Sequence, residues 1–234
     1  MDDEYLEDLE SRIRDCVARH CDLIRGLTAE ESDTRATFSS SLLEKVAEAD
    51  GITSYEAASF FKLASIDVAM TAVLDILSST ITNKDVSPFF EKILNGNAIH
   101  TLLVPNGVDD PKAEDLGFVT KTHVTLAHCR ETSQSKLRLT FKPLVGAEVD
   151  LVASGLLWNE RVMALAVTVP ERTNDGQILP VSKNEFVHVT VWIHETASAV
   201  ESNNLPTLVS ANQAQRLDFE SPVALQGIVA LWTM

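Results

Sequence analysis

The spacing of apolar residues divides the chain into a helical first part and a strand-rich second part. Over residues 4–27, apolar side chains recur every three or four positions among charged ones, which predicts an amphipathic helix. Residues 28–31 (TAEE) have the spacing of a helix-capping box, so a second helix is expected to start there. Further helices are predicted at Ser39–Ala49 and Ser54–Leu63.

The pattern changes near residue 68. Val68–Ile76 is apolar and β-branched, which favours a strand and leaves a helix as the alternative. Residues 85–95 predict a helix that is capped by Asp85 or Ser87 and has Pro88 in its first turn. Downstream, strands are predicted at Lys121–Cys129, Lys136–Pro143, Glu148–Leu157, Val162–Val169, Phe186–His194 and Val223–Trp232.

Three connecting segments complete this outline. Pro105–Asp115 reads as a polar loop, and Asn174–Gln177 reads as a turn because it contains Asp-Gly. Ser198–Ser210 predicts a helix that is interrupted near Pro206.

Charge and composition exclude some classes of function. The 234 residues carry a net charge of −15, of which −9 falls in residues 1–60. A strongly acidic body repels nucleic acid at long range, which argues against a general duplex-binding module. Recognition of a single phosphate at the end of a strand remains compatible with this charge.

The cysteine content predicts a reducing compartment. There are three cysteines, Cys16, Cys21 and Cys129, without the spacing of a disulfide framework or a zinc site. The acidic first residues do not resemble a signal peptide, and no apolar run is long enough to span a bilayer. We therefore expect a nuclear or cytoplasmic protein with no membrane association, no metal and no cofactor.

The tripeptide His-Val-Thr occurs twice, at residues 123–125 and 188–190, each time within an apolar run. Because side chains alternate between the two faces of a strand, His123 and Thr125 are predicted to share a face, as are His188 and Thr190. Each motif thus presents one titratable nitrogen and one hydroxyl donor from a rigid element.

Two imidazoles and two hydroxyls suit the hydrolysis of a cyclic phosphodiester. One neutral imidazole accepts a proton from water, and the other, protonated, donates to the departing ribose oxygen. The hydroxyls donate to the non-bridging oxygens. One His-x-Thr motif has little specificity on its own, whereas two identical copies on predicted strands favour a catalytic pair.

Paired His-x-Thr motifs on strands resemble the two-histidine (2H) phosphoesterase superfamily. The segments KTHVTLAH (121–128), VSKNEFVHVTVW (181–192) and LDFESPVALQGIVALW (217–232) resemble the cyclic phosphodiesterase domain of plant-type tRNA ligases. The resemblance covers about residues 68–234. The phosphodiesterase domain is accordingly placed at residues 66–234, and residues 1–65 are interpreted as a helical linker or N-terminal extension.

This resemblance implies an α+β fold with two pseudo-symmetric lobes of antiparallel sheet, helices outside and a central cleft. It implies conversion of an RNA 2′,3′-cyclic phosphate end, as on a tRNA exon, to a 2′-phosphate and a 3′-hydroxyl. It further implies covalent attachment to kinase and ligase domains, whose own motifs this chain lacks. His188 is assigned as the base and His123 as the acid, with the reverse assignment left open.

Four neighbours of the motifs are candidates for substrate binding. Trp192 and Phe186 share the predicted face of His188, where they either contact a base or pack in the core. Lys121 and Lys183 flank the motifs and either attract a phosphate or remain solvated charges.

Three rival functions remain open at this point. One is a 2H phosphoesterase for another substrate, such as a 2′,5′-linked oligonucleotide or an ADP-ribose cyclic phosphate. Another is a catalytically silent domain that binds nucleotide ends. The last is an interaction module that recruits a partner through the acidic helices of residues 1–65.

Overall fold

The computed structural model describes residues 61–102 and 112–233. Predictions for residues 1–60 and for most of the loop at Pro105–Asp115 lie outside the described residues. The elements are, in order, β1 (Phe61–Val68), α1 (Met70–Thr80), α2 (Ser87–Leu94), β2 (His123–His128), α3 (Gln134–Phe141), β3 (Glu148–Trp158), β4 (Val162–Thr168), β5 (His188–Ile193), α4 (Leu205–Ser210) and β6 (Gln215–Thr233). Short 3-10 helices lie at Ile99–Leu102, Glu114–Leu116, Lys142–Leu144 and Ala199–Asn204.

The six strands form one closed barrel in the order β1-β2-β5-β4-β3-β6. The pairs β1–β2, β2–β5, β4–β5, β3–β4 and β3–β6 are all antiparallel. Most pairs extend over several residues, but β2 and β5 share a single register position, at Val124 and Val189. Among these pairs, the hydrogen-bonded ladder is therefore shortest between the two His-Val-Thr strands.

Two apolar clusters are separated by the strands. The larger one includes the side chains of Val124, Leu126, Val189 and Leu165 together with those of α1 and α2. The smaller one packs α4 against the other face of β3 and β4, through Leu205, Leu157, Val162, Ala164 and Ala166. Burial of apolar area on both faces makes β4 a central strand, and all of its residues except Thr168 are buried.

The structure confirms several of the predicted elements to within a few residues. The predictions at Lys121–Cys129, Glu148–Leu157, Val162–Val169 and Phe186–His194 correspond to β2, β3, β4 and β5. The turn at Asn174–Gln177 contains Gly176 at φ +87°. The helix at residues 85–95 corresponds to α2, although its N-cap is Val86, which makes no side-chain capping bond.

Two segments favoured as strands are mostly helical, and for the first of them a helix was the stated alternative. Val68–Ile76 is mostly α1, whose buried residues Val73, Leu74 and Leu77 recur at helical spacing. Lys136–Pro143 is mostly α3, in which Leu137 and Phe141 are buried four residues apart. Its N-cap Ser133 accepts a hydrogen bond from the Lys136 backbone N–H.

The remaining differences concern element lengths. Phe61–Leu63, predicted as the end of a helix, opens β1, so β1 spans the predicted domain boundary at residue 66. Val223–Trp232 is the second half of the longer strand β6. Ser198–Ser210 is a 3-10 helix followed by α4, and the break precedes Pro206 because proline fits the first turn of a helix.

The fold is thus mixed α/β with an antiparallel sheet, and that sheet is a single barrel where two separate lobes were expected. The reason is that β2 and β5 lie side by side and hydrogen-bond, so the two groups of strands are continuous. Among the described residues, no helix has the length and apolarity that a membrane crossing requires.

We expect Gly117→Ala to lower the free energy of unfolding by more than Gly176→Ala. Both glycines have positive φ, at +82° and +87°, so each substitution costs about 1–2 kcal/mol of backbone strain. At Gly117 the added Cβ would also lie 2.5 Å from the Ile193 carbonyl oxygen, whereas at Gly176 it meets nothing within 4 Å. Urea unfolding of both variants measures the difference, and equal losses would contradict the close packing of residue 117 against β5.

Candidate active site

The two His-Val-Thr tripeptides meet each other in the barrel. Val124 of β2 lies opposite Val189 of β5 in antiparallel register. This register sets His123 towards Thr190 and Thr125 towards His188, so a local two-fold axis passes between the two valines. The sequence repeat is therefore also a spatial repeat.

Strand alternation separates the two kinds of residue in each motif. Val124 and Val189 are fully buried in the larger apolar cluster. The histidines and threonines consequently project to the other face, where His123, Thr125 and Thr190 are half-buried and His188 is 8% exposed. All four predicted groups lie on one face of two neighbouring strands.

Both imidazoles are held in the same tautomer. His123 Nδ1 lies 3.0 Å from the Lys121 carbonyl oxygen, and His188 Nδ1 lies 2.8 Å from the Phe186 carbonyl oxygen. Because a carbonyl oxygen can only accept, each Nδ1 carries the proton and donates it. In the neutral form, each Nε2 is therefore left with its lone pair for chemistry.

His188 is the less solvent-exposed of the two histidines. Its ring stacks on that of Phe186, with centroids 4.9 Å apart and planes 12° from parallel. Burial lowers the pKa of His188; the bond to the Phe186 carbonyl opposes this shift, and the positive charge of His123 adds to it. The buried Ala166 lies opposite His188 on β4.

His123 is more accessible and contacts a different aromatic residue. Its ring centroid lies 4.5 Å from that of Trp232, with the planes inclined at 53°. Trp232 Nε1 donates to both carboxylate oxygens of Asp67, at 2.9 and 3.1 Å. Asp67 is itself the residue opposite His123 in the β1–β2 register.

The hydroxyl of Thr190 has a defined partner. It donates to Ser202 Oγ at 3.2 Å, and Ser202 is fully buried in the 3-10 helix at Ala199–Asn204. That helix begins with a capping box formed by Ser198 and Glu201. The Arg161 guanidinium, bound to both carboxylate oxygens of Glu201, lowers the pKa of that carboxyl to about 2.

The chain leading into β5 is bound to β2. Ser182 Oγ donates to the Thr125 carbonyl oxygen at 2.8 Å, and the Lys183 backbone N–H donates to the Leu126 carbonyl oxygen at 2.8 Å. These bonds fix the approach to Phe186 and His188 relative to the first motif. The side chains of Lys121 and Lys183 are exposed, so their contribution to phosphate binding stays a prediction.

Trp192 packs in the core, which was one of the two alternatives for this residue. It is 5% exposed, lies edge-on to Phe89 at 5.2 Å and donates from Nε1 to the Leu116 carbonyl oxygen at 2.8 Å. The register of β4 and β5 shifts at this point, because Ala164 pairs with Thr190 and Met163 with Trp192. The extra residue is Val191, and this bulge ends the alternation that would have put Trp192 beside His188.

The residues that sequence reasoning missed come from other strands and loops. They are Asp67, Arg161, Glu201, Ser202 and Trp232. The one signal in the sequence is the single carboxylate of the apolar run FKLASIDV (61–68), and the helix predicted at Ser54–Leu63 overlaps the start of this strand. No cluster of three or more His, Cys, Asp or Glu suited to a metal ion occurs within residues 61–102 and 112–233.

Comparisons with known proteins match the part of the chain that carries these motifs. Residues 112–232, more than half of the chain, match the model of the fungal tRNA ligase phosphodiesterase domain. The chain is 36% identical over 107 residues to tRNA ligase 1 of Arabidopsis thaliana, which is 46% of this chain and 9% of that protein's length.

A solved structure described as a fungal RNA kinase has a similar fold, with a TM-score of 0.50 and 16% identity, over 97% of this chain and 58% of that one. At that identity the likeness concerns the fold alone. The match to the family model rests on the segment that carries both His-Val-Thr motifs and the end of β6. The chain belongs to the tRNA ligase phosphodiesterase domain family.

Proposed function

We propose that this domain hydrolyses RNA 2′,3′-cyclic phosphate ends to a 2′-phosphate and a 3′-hydroxyl, without a metal ion. The observation that carries the proposal is the antiparallel pairing of Val124 with Val189. It brings two imidazoles and two hydroxyls to one face, and both Nδ1 atoms are occupied by carbonyl oxygens. Two Nε2 atoms therefore serve as the acid and the base.

In the proposed reaction a water oxygen attacks the phosphorus while His188 Nε2 takes a proton from that water. The bond from phosphorus to O3′ breaks, and protonated His123 gives its Nε2 proton to O3′. The ribose then carries a 3′-hydroxyl and a 2′-phosphate, and the two histidines have exchanged protonation states. Proton transfer by positioned groups of this kind contributes about 10²- to 10⁴-fold each.

Burial favours His188 as the base. A desolvated imidazole resists protonation, so His188 stays neutral to lower pH than an exposed histidine does. The acid role is then assigned to the other imidazole, that of His123, which is half-buried and more accessible than His188. The Thr125 hydroxyl donates to a non-bridging oxygen as negative charge develops there, and the Thr190 hydroxyl does the same by turning its proton from Ser202 Oγ to the phosphate.

The substrate is an RNA end, and the setting is tRNA splicing and RNA repair. The support is the family match and the similarity to a protein named tRNA ligase 1, of which this chain spans 9%. We propose that the domain works joined to kinase and ligase domains. We also propose a relation to the 2H phosphoesterases, because the two motif strands β2 and β5 are adjacent in the barrel and each pairs over several residues with its outer neighbour, β1 or β4.

We expect His123→Ala and His188→Ala each to lower kcat on 2′,3′-cyclic AMP by at least about 100-fold, because each removes a proton-transfer group. Thr125→Val and Thr190→Val keep the side-chain shape but lose the hydroxyl donor, and should each cost about 100-fold. Initial rates in excess EDTA measure these losses.

The control variant is His194→Ala. His194 lies just beyond β5, and its ring contacts Thr196 instead of the motif residues. The kcat of the His194→Ala variant should stay within about twofold of that of the unmodified protein. Turnover that is unaffected by the His123 and His188 substitutions, or that is lost in EDTA, would contradict the proposal.

The pH dependence should report the buried base. Since His188 must be neutral to act and its pKa is lowered, the acidic limb of kcat/KM should lie below pH 6.5, the ordinary pKa of histidine. Phe186→Ala admits water to the ring and should move this limb upward towards 6.5. The pH profile of kcat/KM for both proteins tests this.

Phe219→Ala provides the matched control. It removes another half-buried phenyl ring, one that packs against the larger apolar cluster in β6. In this variant the acidic limb of the kcat/KM profile should lie at the same pH as in the unmodified protein. An acidic limb above pH 6.5 in the unmodified protein, or the same shift in both variants, would assign the limb to another group.

A further inference from the structure

The two catalytic strands differ at the position two residues before each histidine. In the second motif this residue is Phe186, whose ring stacks on His188. In the first motif it is Lys121, which has no ring to offer. His123 nevertheless has an aromatic neighbour, because β6 brings Trp232 to within 4.5 Å between ring centroids.

Trp232 is held in this place by a carboxylate. Its Nε1 donates to Asp67 Oδ1 and Oδ2 at 2.9 and 3.1 Å. Asp67 is fixed in turn by Ser65, whose fully buried hydroxyl donates to Oδ1 at 2.7 Å. Ser65 and Asp67 lie opposite Thr125 and His123 in the β1–β2 register, so they belong to the same face as the site.

We propose that Trp232 is the positioning residue for His123 and that Asp67 anchors Trp232 in that role. The inference rests on the proposed function. It adds to the site a residue of β1, Asp67, which lies outside both His-Val-Thr motifs. Asp67 lies outside the segment that matches the family model, and Trp232 is the last residue within it.

The physical reason lies in how an imidazole is restrained. The bond from His123 Nδ1 to the Lys121 carbonyl fixes one edge of the ring but leaves it able to rock. An indole against the ring limits that motion and keeps Nε2 aimed at one point. Small misplacements of a reacting group cost up to about 100-fold in rate, so this restraint affects kcat.

The charge states of the proposed mechanism strengthen the contact when it is needed. His123 is protonated before it gives its proton to O3′, and a cation is attracted to the face of an indole. His188, which starts neutral, packs instead on a phenyl ring in a nearly parallel stack. Each aromatic partner thus suits the protonation state in which its histidine begins the reaction.

Four variants test the inference. Trp232→Leu removes the ring, Asp67→Ala removes the anchor, and Asp67→Asn keeps an oxygen at Oδ1 that still accepts from Trp232 and Ser65. Trp192→Phe is the matched control, because it removes an equivalent indole hydrogen bond, to the Leu116 carbonyl, away from His123.

We expect Trp232→Leu to lower kcat on 2′,3′-cyclic AMP by about 100-fold and Asp67→Ala by about tenfold, each with KM within about twofold. Asp67→Asn should keep kcat within about threefold of the unmodified value, since the hydrogen bond from Trp232 Nε1 to Oδ1 is retained and only the longer one to Oδ2 is lost. Trp192→Phe should lower the thermal midpoint and leave kcat within about twofold.

A spectroscopic readout makes the test independent of turnover. The His123 Hε1 resonance should shift in Trp232→Leu and in Asp67→Ala, because the ring current of the indole is lost or displaced. It should stay in place in Asp67→Asn and Trp192→Phe. An unshifted resonance in Asp67→Ala would overturn the anchoring role.

The outcomes separate this inference from the proposed function. If Trp232→Leu and Asp67→Ala keep full kcat while His123→Ala abolishes turnover, the positioning role is overturned and the proposed function stands. If kcat falls in all variants in step with thermal stability, including Trp192→Phe, the role is structural and the inference is overturned. If the unmodified protein does not turn over, the proposed function fails, and the resonance shifts still test the contact between Asp67, Trp232 and His123.

Discussion

The pairing of Val124 with Val189 is the constraint on which the site depends. Both valines are fully buried in the larger apolar cluster, so a slip of one residue in either strand would turn its histidine into the core. Such a slip would bury an imidazole and a hydroxyl without partners, which costs several kcal/mol. The packing of two apolar side chains therefore fixes the positions of four polar ones on the opposite face.

The two motifs are related by a local two-fold axis, but the residues that contact their histidines differ. Phe186 stacks on His188 and helps to bury it, whereas His123 lies nearer to solvent with Trp232 and Asp67 as neighbours. Identical tripeptides thus acquire different environments, and in the proposed mechanism the buried imidazole is the base and the accessible one is the acid. The same principle, in which surroundings assign roles to identical groups, governs paired catalytic carboxylates.

The sequence predicted the motif strands and their shared face well because strand alternation is a local property. It could not reveal that β2 and β5 pair at Val124 and Val189, since pairing across 65 positions depends on how the barrel closes. The sequence also did not predict the bulge at Val191, and for this reason it did not predict that Trp192 is buried. Asp67 and Trp232 were missed because their contact joins the two ends of the described chain.

The most direct test of this account is the position of the phosphate in the product. The protein is incubated with 2′,3′-cyclic AMP in excess EDTA, and the two adenosine monophosphate isomers are resolved by chromatography. A mechanism in which His123 protonates O3′ predicts the 2′-phosphate. Formation of the 3′-phosphate, or no product at all, would contradict it.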